Sequence, residues 1–470
     1  ISEQVLTTPH ILRSVCHVRI RAMITSCAAE HAFFLSVGGD VYAWGRHREG
    51  QCGVAPAAGT GTWLMDAVKL DGARDFVPPL AEGVSVYTGA TGAMHSLLVT
   101  TSGALYAAGS NAQGQCGLGA QSASAPFHLV TDAPFVRDGD AVVDAACGRA
   151  YSLVCTASGR VYAMGSTQFG ALGTGVLGWR AVGPAEVRYA QHTTPVLVPG
   201  VRDIKQVASG EDHAVALDYD GLVYVWGHGR GARLGCGTQQ DQYEPVRIAQ
   251  FTRKQDRIRR VCAGRAVTAC VDQHARLWVA GTWRLCGDGG LGQAFLIYKP
   301  LVEDYEVAKA ACGADTMQSL ATPTVDGHAV AGAAQRVLAW GEGAVNGELP
   351  GGVPPALPEE NAALAPMSIV DVASARHTTF WLARPVGAYS ELARFPETIA
   401  SSSVCLVCEH ETPDDGATLL ECDRCENPYH LGCLTPALPS VPDGEWLCDT
   451  CRAEDPHQEA VDGSRKRRRR

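Results

Sequence analysis

The sequence predicts an all-β protein in which a large ring of repeated β-sheet units precedes a small metal-binding module. Two observations carry this prediction: a sequence unit that recurs through most of the chain, and a tight series of cysteine and histidine pairs between Cys405 and Cys451. Composition agrees, because 52 glycines and 25 prolines among 470 residues indicate many turns between short strands. No stretch reaches the ~18 unbroken apolar residues that a membrane-spanning helix needs, so we expect no contact with a membrane.

The repeat is clearest in one complete unit, residues 207–235. It reads Val-Ala-Ser-Gly-Glu-Asp-His up to His213, then Gly-Leu-Val-Tyr-Val-Trp-Gly up to Gly227, and closes on Gly-Ala-Arg-Leu-Gly at Gly235. The anchor positions of the successive units lie roughly 50–60 residues apart, at positions 31, 95, 151, 213, 267, 316 and 377.

Each unit contains three or four short apolar or alternating runs separated by glycine turns, a pattern typical of a small antiparallel sheet. Such a sheet buries both faces only when copies are arranged radially around an axis. The pattern therefore predicts a six- to seven-bladed β-propeller. The last copy, residues 372–377, is only half a unit, and we expect N-terminal strands to complete it.

These units resemble the regulator-of-chromosome-condensation (RCC) repeat family over about residues 20–385. The resemblance implies the propeller fold, and we expect the propeller to occupy residues 1–385. It does not decide the function, because propellers host unrelated activities. The founding member of the family implies one alternative, guanine-nucleotide exchange on a Ran-like small GTPase. The extended segment between Gly175 and Gly200 is the candidate for the hairpin that such exchange requires.

Cysteines and histidines that recur inside the repeat are interpreted as packing residues. Cysteines fill slots that carry leucine in other units, or precede the repeat glycine, at Cys52, Cys116, Cys27, Cys147 and Cys312. Histidines share one slot, at His31, His95, His213 and His377, where Tyr151 and Val267 also occur. Because a metal ligand cannot be replaced by valine, we expect these histidines to form hydrogen bonds within each blade.

A different kind of cysteine spacing follows the linker predicted at residues 386–402. Four ligand pairs, each separated by two residues, are Cys405 and Cys408, Cys422 and Cys425, His430 and Cys433, and Cys448 and Cys451. A gap of two residues lets one turn direct both side chains at a single ion, and zinc takes four thiolate or imidazole ligands. Eight ligands therefore predict two structural zinc ions, which such a short segment needs in order to fold.

The segment resembles a PHD finger, expected at residues 403–454, because His430 is fifth in the ligand series and Trp446 stands two residues before Cys448. We expect Trp446 to be a core residue of the finger and not a wall of an aromatic cage. RING domains, the alternative, usually place their single histidine fourth. The resemblance implies an interleaved ligand set, with the first and third pairs on one zinc and the second and fourth pairs on the other. The two sets are Cys405, Cys408, His430 and Cys433, and Cys422, Cys425, Cys448 and Cys451.

The same resemblance implies that the finger binds the N-terminal tail of histone H3 as an added β-strand. The implied contacts are the strand Leu419, Leu420 and Glu421; Asp423 for the tail arginine; Asp414 or Asp415 for the tail lysine; and the carbonyls of Pro442 and Gly444 for the free amino terminus. Pro428 stands where readers of trimethyl-lysine need a tryptophan, which favours unmodified lysine.

Charge supports a basic ligand for the finger. Residues 401–464 contain 14 aspartates and glutamates but only two arginines, a balance that attracts a basic peptide and repels DNA phosphate. A finger that is purely structural and binds no histone is the alternative.

The end of the sequence, residues 455–470, is expected to be a disordered tail. It closes on six consecutive basic residues, Arg465–Arg470, a run typical of nuclear import signals and of weak, non-specific contact with nucleic acid. The sequence contains neither a phosphate-binding loop nor a Gly-x-Ser-x-Gly elbow. The sequence as a whole therefore predicts a non-enzymatic nuclear protein associated with chromatin, with the propeller as a platform for a protein partner.

Overall fold

The computed structural model of the protein describes residues 6, 8–54, 62–120, 125–176, 178–181, 187–282, 294–326, 328–330, 332–341, 349, 358–384, 392–396, 405–408, 410, 419–423, 427–442, 444 and 446–453. The chain forms two compact units, Ile1–Thr8 with Ile20–Ala383, and Pro9–Arg19 with Arg384–Arg470. The expected propeller range, 1–385, thus includes a segment, Pro9–Arg19, that the structure groups with the second unit. In the part of the chain that the structure describes, no helix is long and apolar enough to cross a bilayer.

The first sixteen strands of the chain form the first three blades, apart from β1, which belongs to the second unit, and a separate hairpin. The short strand β1 (Ile11–Leu12) belongs to the second unit. The first blade contains β2 (Ile20–Ile24), β3 (His31–Ser36), β4 (Val41–Arg46) and β5 (Trp63–Lys69). The second contains β6 (Phe76–Val77), β7 (Val86–Thr91), β8 (His95–Thr100), β9 (Leu105–Gly109) and β10 (Phe127–Leu129). The third contains β11 (Val142–Cys147), β12 (Tyr151–Thr156), β13 (Val161–Ser166) and β16 (Gln191–Leu197), with the separate hairpin β14 (Trp179–Ala181) and β15 (Val187–Tyr189) inserted before β16.

Three further blades and a two-stranded sheet complete the propeller unit. The fourth blade contains β17 (Ile204–Ser209), β18 (His213–Asp218), β19 (Val223–Gly227) and β20 (Gln242–Arg247). The fifth contains β21 (Ile258–Ala263), β22 (Val267–Asp272), β23 (Leu277–Gly281) and β24 (Phe295–Val302). The sixth contains β25 (Tyr305–Cys312), β26 (Thr316–Val325), β27 (His328–Ala329), β28 (Arg336–Gly341) and β29 (Glu359–Glu360). The last sheet contains β30 (Ile369–Ser374) and β31 (Thr379–Ala383).

The remaining strands, helices and turns are short. The second unit adds β32 (Arg394–Phe395), β33 (Leu419–Glu421), β34 (Pro428–His430) and helix α2 (Asp449–Ala453), while helix α1 (Pro134–Arg137) lies in the propeller. Among the described residues, the 3-10 turns are Arg13–Val15, Gln168–Gly170, Arg230–Ala232, Ala249–Phe251, Lys254–Asp256, Ala362–Leu364 and Leu431–Cys433.

The blades form a closed ring around their innermost strands. Each innermost strand packs against the innermost strand of the next sheet, and the last one packs against the first. In order around the ring, these strands are β2, β7, β11, β17, β21, β25 and β30. The sheet β30–β31 lies between the sixth and first blades, where the Arg376 N–H donates to the Ala29 carbonyl at 2.8 Å. Phe380 packs edge-on against Phe34 and Trp44 of the first blade. Among the described residues, the N-terminal strand β1 pairs with β32 rather than completing this last sheet.

The glycine that follows Trp226, and that recurs after Trp44 and Trp340, has a steric cause. Gly227 adopts a φ of 98°, a conformation that residues with a Cβ rarely adopt. A Cβ at this position would also lie 2.8 Å from the carbonyl oxygen of Asp212, the residue before β18. The repeated glycine therefore lets β19 approach the start of β18, and the equivalent Gly45 has a φ of 99°.

The hydrophobic core is divided among the interfaces between sheets. Each of six apolar clusters is shared by two neighbouring sheets, and Trp226, from the fourth blade, is fully buried against the third. The predicted packing role of the repeat cysteines is confirmed, because buried Cys52, Cys116, Cys147 and Cys312 each belong to such a cluster. Cys27 is also buried.

The repeat histidines connect blades rather than acting within one blade, which corrects the expectation from the sequence. A hydrogen bond of 2.9 Å joins Nε2 of His213 in the fourth blade to Oγ1 of Thr268 in the fifth. The Thr268 hydroxyl donates its proton to the Arg233 carbonyl at 2.6 Å, so the imidazole must be the donor. His31 and His95 make equivalent bonds to Ser96 and Ser152 of the following blades, whereas His377 is exposed.

Candidate metal centre

Four predicted ligands meet at the first cluster of the second unit. The ligand atoms of Cys405, Cys408, His430 and Cys433 all lie within 4.8 Å of one another. His430 ends strand β34 and directs Nδ1 to 3.3 Å from the Cys408 sulfur and 3.9 Å from the Cys433 sulfur. The Leu406 N–H donates to the Pro428 carbonyl at 2.9 Å, and this contact with β34 brings the third ligand pair beside the first, although 25 residues separate Cys405 from His430.

The second cluster contains Cys422, Cys448 and Cys451, whose sulfur atoms also lie within 4.8 Å of one another. All three side chains are buried. Cys422 directly follows β33, and Cys448 and Cys451 lie at the start of α2. The fourth predicted ligand of this cluster, Cys425, lies outside the described residues.

Backbone N–H groups point at several of the sulfur atoms. The His430 N–H donates to the Cys405 sulfur at 3.2 Å, and the Cys448 N–H donates to the Cys422 sulfur at 3.3 Å. Burial disfavours the Cys405 thiolate, but the N–H groups of His430, Cys408 and Val407 outweigh burial and lower the pKa of this thiol to about 7. The surroundings therefore favour the ionised sulfur that a metal requires.

The donor set fits zinc. Sulfur and imidazole nitrogen are the ligands that structural zinc prefers, and three cysteines with one histidine make a complete tetrahedral set. The donor atoms of each cluster lie within 4.8 Å of one another, close enough for one ion to contact them all, and the two clusters interleave along the chain. A bound zinc ion would supply crosslinks between the finger's segments, and a site filled by four protein ligands leaves no position for substrate.

Most of the predicted histone contacts lie within the described residues, in β33 and in the segments around Cys422 and before Cys448. In β33, Leu420 is buried, while Leu419 is half-buried and Glu421 is exposed. Asp423 is exposed and Gly444 is exposed, with Pro442 half-buried beside it in sequence. Pro428 is buried and pairs with Glu421, in the register that also pairs Leu419 with His430. Asp414 and Asp415 lie outside the described residues.

Trp446 is a core residue of the finger, as the sequence predicts. Its side chain is 6% exposed and packs edge-on against Tyr429 at a centroid distance of 5.5 Å. The surrounding apolar cluster includes Leu420 together with the three cysteines of the second metal cluster.

The N-terminal segment Pro9–Arg19, for which the sequence predicts no role in the finger, belongs to the second unit. Strand β1 pairs in parallel with β32, with Ile11 opposite Arg394. Cys16 packs against the apolar cluster around Trp446. Burial lowers the pKa of His17, and the nearby Cys422 thiol opposes this shift. One feature of the sequence could have indicated this contact: Cys16 occupies neither a repeat slot nor a ligand pair.

Comparison with known proteins agrees with this architecture. Residues 102–155, 158–217 and 220–271 match the family "Regulator of chromosome condensation (RCC1) repeat", and residues 405–451 match the family "PHD-finger". Protein RCC2 of Homo sapiens is 24% identical over 366 residues, which cover 74% of this chain and 63% of RCC2. The chain thus spans slightly less than two thirds of that relative's length.

Solved structures show the same fold. Human WBSCR16 superposes with a TM-score of 0.62 at 21% identity, covering 78% of this chain and 88% of that protein. Prp20p from Saccharomyces cerevisiae superposes with a TM-score of 0.58 at 21% identity, covering 77% of this chain and 82% of Prp20p.

Fold and site together define a β-propeller protein with a cross-braced, cysteine-rich finger. The chain carries an RCC1-type propeller joined to a PHD finger.

Proposed function

We propose that this protein associates with chromatin in the nucleus through its PHD finger, which folds around two structural zinc ions and binds the N-terminal tail of histone H3. The two ions are assigned to Cys405, Cys408, His430 and Cys433, and to Cys422, Cys425, Cys448 and Cys451. The observation that carries the proposal is the position of strand β33 (Leu419–Glu421). Among the described strands, β33 pairs only with β34, along one of its two edges. Its other edge offers backbone donors and acceptors to an added peptide strand.

Charge and geometry at this edge suit a basic peptide. Glu421 and Asp423 are both exposed at the end of β33, and the segment 401–464 carries 14 acidic residues against two arginines. Pro442 and Gly444 precede Trp446, whose N–H is bonded to the Asp423 carboxylate. The proposed capture point for the tail's amino terminus is therefore tied to the acid proposed for the tail arginine.

A preference for unmodified lysine is part of the proposal. Recognition of trimethyl-lysine relies on an aromatic cage, and the position where such readers carry tryptophan is here Pro428, which is buried in the β33–β34 pair. Asp414 or Asp415 is proposed to pair with the free ammonium group. The basic run Arg465–Arg470 is proposed to act in nuclear import and in weak nucleic-acid contact.

Isothermal titration of the full chain with H3 tail peptides tests this function. The full chain is required because Pro9–Arg19 belongs to the same unit as the finger. We expect binding of the unmodified peptide, weaker binding after trimethylation of its fourth residue, and loss of binding after acetylation of its amino terminus. Absence of binding to a zinc-loaded protein at high micromolar concentration would contradict the proposal.

A second candidate function for the propeller is nucleotide exchange on a Ran-like small GTPase. The observation that favours it is the hairpin β14–β15, which pairs Trp179 with Tyr189 within the predicted segment Gly175–Gly200. Trp179 is 62% exposed and Val187 is 45% exposed, so the hairpin presents apolar side chains to solvent. The crystal structure of Prp20p was described together with its binding to Gsp1p and histones.

Nucleotide release from purified Ran tests the second function. We expect the full chain to accelerate release of a fluorescent nucleotide and Trp179→Ala to reduce that acceleration. Trp63→Ala, which changes a partly exposed tryptophan of the first blade, is the matched control. If wild-type protein leaves the rate of nucleotide release from Ran unchanged, the exchange function is contradicted, and the histone proposal is not affected.

A further inference from the structure

Two cysteine sulfurs meet across the interface between the fifth and sixth blades. Cys262 lies near the end of the inner strand β21, and Cys312 ends the inner strand β25. Their sulfur atoms are 3.3 Å apart, although 50 residues separate them in the sequence. The contact joins two adjacent inner strands of the ring, outside the finger and its ligands.

The surroundings of the two thiols differ. Cys312 is buried, with 5% of its surface exposed. Cys262 is half-buried and lines a cavity of about 60 Å³, together with Gln206, Arg260 and Lys309. A volume of ~10–15 Å³ holds one water molecule, so the cavity has room for a small reagent beside Cys262.

Other buried cysteines of the propeller face oxygen atoms. The Cys147 sulfur lies 3.5 Å from the Ser152 hydroxyl, and the Cys116 sulfur lies 3.3 Å from the Ser110 carbonyl. Burial raises the pKa of both the Cys147 and Cys116 thiols. These sulfurs face oxygen atoms, whereas the Cys262 and Cys312 sulfurs face each other. The contact with Cys262 and burial raise the pKa of the Cys312 thiol as well.

We propose that Cys262 and Cys312 form an intramolecular disulfide when the protein meets a peroxide-class oxidant. The Cys262 thiolate attacks one oxygen of hydrogen peroxide and the O–O bond breaks. The released hydroxide takes up the proton that the Cys262 thiol had lost, so the products are a sulfenic acid and water. Cys312 then attacks the Cys262 sulfur, the S–O bond breaks, and hydroxide leaves as water with the Cys312 proton. Both sulfurs are oxidised by one electron each, and one peroxide is reduced to two waters.

The bond requires a modest movement. The sulfurs approach from 3.3 Å to the ~2.05 Å of a disulfide. The link would connect β21 directly to β25 and close a loop of 50 residues, so it would oppose separation of the fifth and sixth blades. Reduction by a thiol would restore both side chains.

Peptide mapping of the zinc-loaded full chain tests the proposal. After titration with hydrogen peroxide and alkylation of free thiols, trypsin releases Cys262 in residues 261–265 and Cys312 in residues 310–336, each the single cysteine of its peptide. We expect these two peptides to be recovered as a disulfide-linked pair that disappears on reduction. Cys262→Ser should abolish the pair, whereas Cys147→Ser, a change at the slot in the third blade equivalent to Cys312, should retain it.

The wild-type measurement decides the outcome even where a variant fails to fold. Recovery of both peptides as separately alkylated species, at peroxide concentrations that already oxidise cysteines of the finger, would overturn the proposal. A link from Cys262 to Cys27, another buried cysteine near this pair, would overturn it as well.

Discussion

The carboxylate of Asp423 accepts a hydrogen bond of 2.6 Å from the backbone N–H of Trp446. The Asp423 N–H in turn donates to the Trp446 carbonyl at 2.9 Å. Asp423 therefore holds the backbone at Trp446, in addition to its proposed contact with the tail arginine. The Trp446 bond uses the Oδ2 atom, and a carboxylate has further acceptor sites for a second donor.

Substitution of Asp423 should separate its structural role from its proposed binding role. Asp423→Asn keeps an oxygen acceptor for the Trp446 N–H but removes the charge, so we expect a folded, zinc-loaded finger with about tenfold weaker binding to the H3 tail peptide. Asp423→Ala should also destabilise the finger, because it leaves that N–H without its acceptor. Titration calorimetry and zinc content measure the two effects. Equal peptide affinity for wild type and Asp423→Asn would exclude the arginine contact.

Removal of zinc should unfold the finger and leave the propeller intact. The metal supplies most of the folding free energy of so small a core, on the order of 10 kcal/mol per site. We therefore expect a strong chelator to expose the buried Trp446 and to abolish peptide binding, while the thermal transition of the propeller stays in place. Tryptophan fluorescence and calorimetry measure these changes, and elemental analysis should return two zinc ions per chain. A finger that keeps its fold without metal would refute the assignment of the eight ligands.

Deletion of the N-terminal segment should weaken the finger. Cys16 packs on the apolar cluster around Trp446, and β1 pairs with β32. Removal of residues 1–19 should therefore lower the unfolding temperature of the finger and speed the loss of zinc to a chelator. Removal of residues 1–8 alone is the matched control, because Ile1–Thr8 groups with the propeller. If both truncations release zinc at the wild-type rate, the segment contributes no stability to the finger.

The propeller should lose stability when the pH falls below about 6.5. Burial lowers the pKa of His31 and of His95 to about 3 and lowers that of His213 well below its ordinary value. Because the folded-state pKa lies below the unfolded-state value, the stabilisation is complete above pH ~6.5 and decreases as the pH falls toward the folded-state value. Each histidine should contribute up to about 1.4 kcal/mol per pH unit.

Thermal unfolding between pH 7.5 and pH 5 measures this dependence. His95→Gln should flatten the slope, whereas His274→Ala, which changes an exposed histidine in a turn of the fifth blade, should leave it unchanged. A propeller equally stable at both pH values would show that the buried histidines are not held neutral.

Most of the fold could be predicted from local patterns. The glycine after each repeat tryptophan, the alternating strands and the paired ligands act over short sequence distances, so each unit is recognisable without knowledge of its neighbours. The same patterns predicted Trp446 as a core residue of the finger and the segment that contains β14 and β15.

Contacts between distant segments could not be predicted in this way. The histidines were expected to bond within a blade, yet the partner of His213 lies in the next blade, 55 residues away. Nothing in the spacing of Cys262 and Cys312 distinguishes them from packing cysteines. The pairing of β1 with β32 also joins segments that are far apart in sequence.

The sequence by itself determined the repeated blade, the eight candidate ligands in pairs, and the acidic character of the finger, because these features are written in residue type and short-range spacing. The tertiary structure alone decided which sulfurs approach one another, which blade supplies the hydrogen-bond partner of each histidine, and which terminal segment packs against the finger's core. Those relationships depend on closure of the ring and on the packing of separate chain segments, and short-range residue patterns do not encode either.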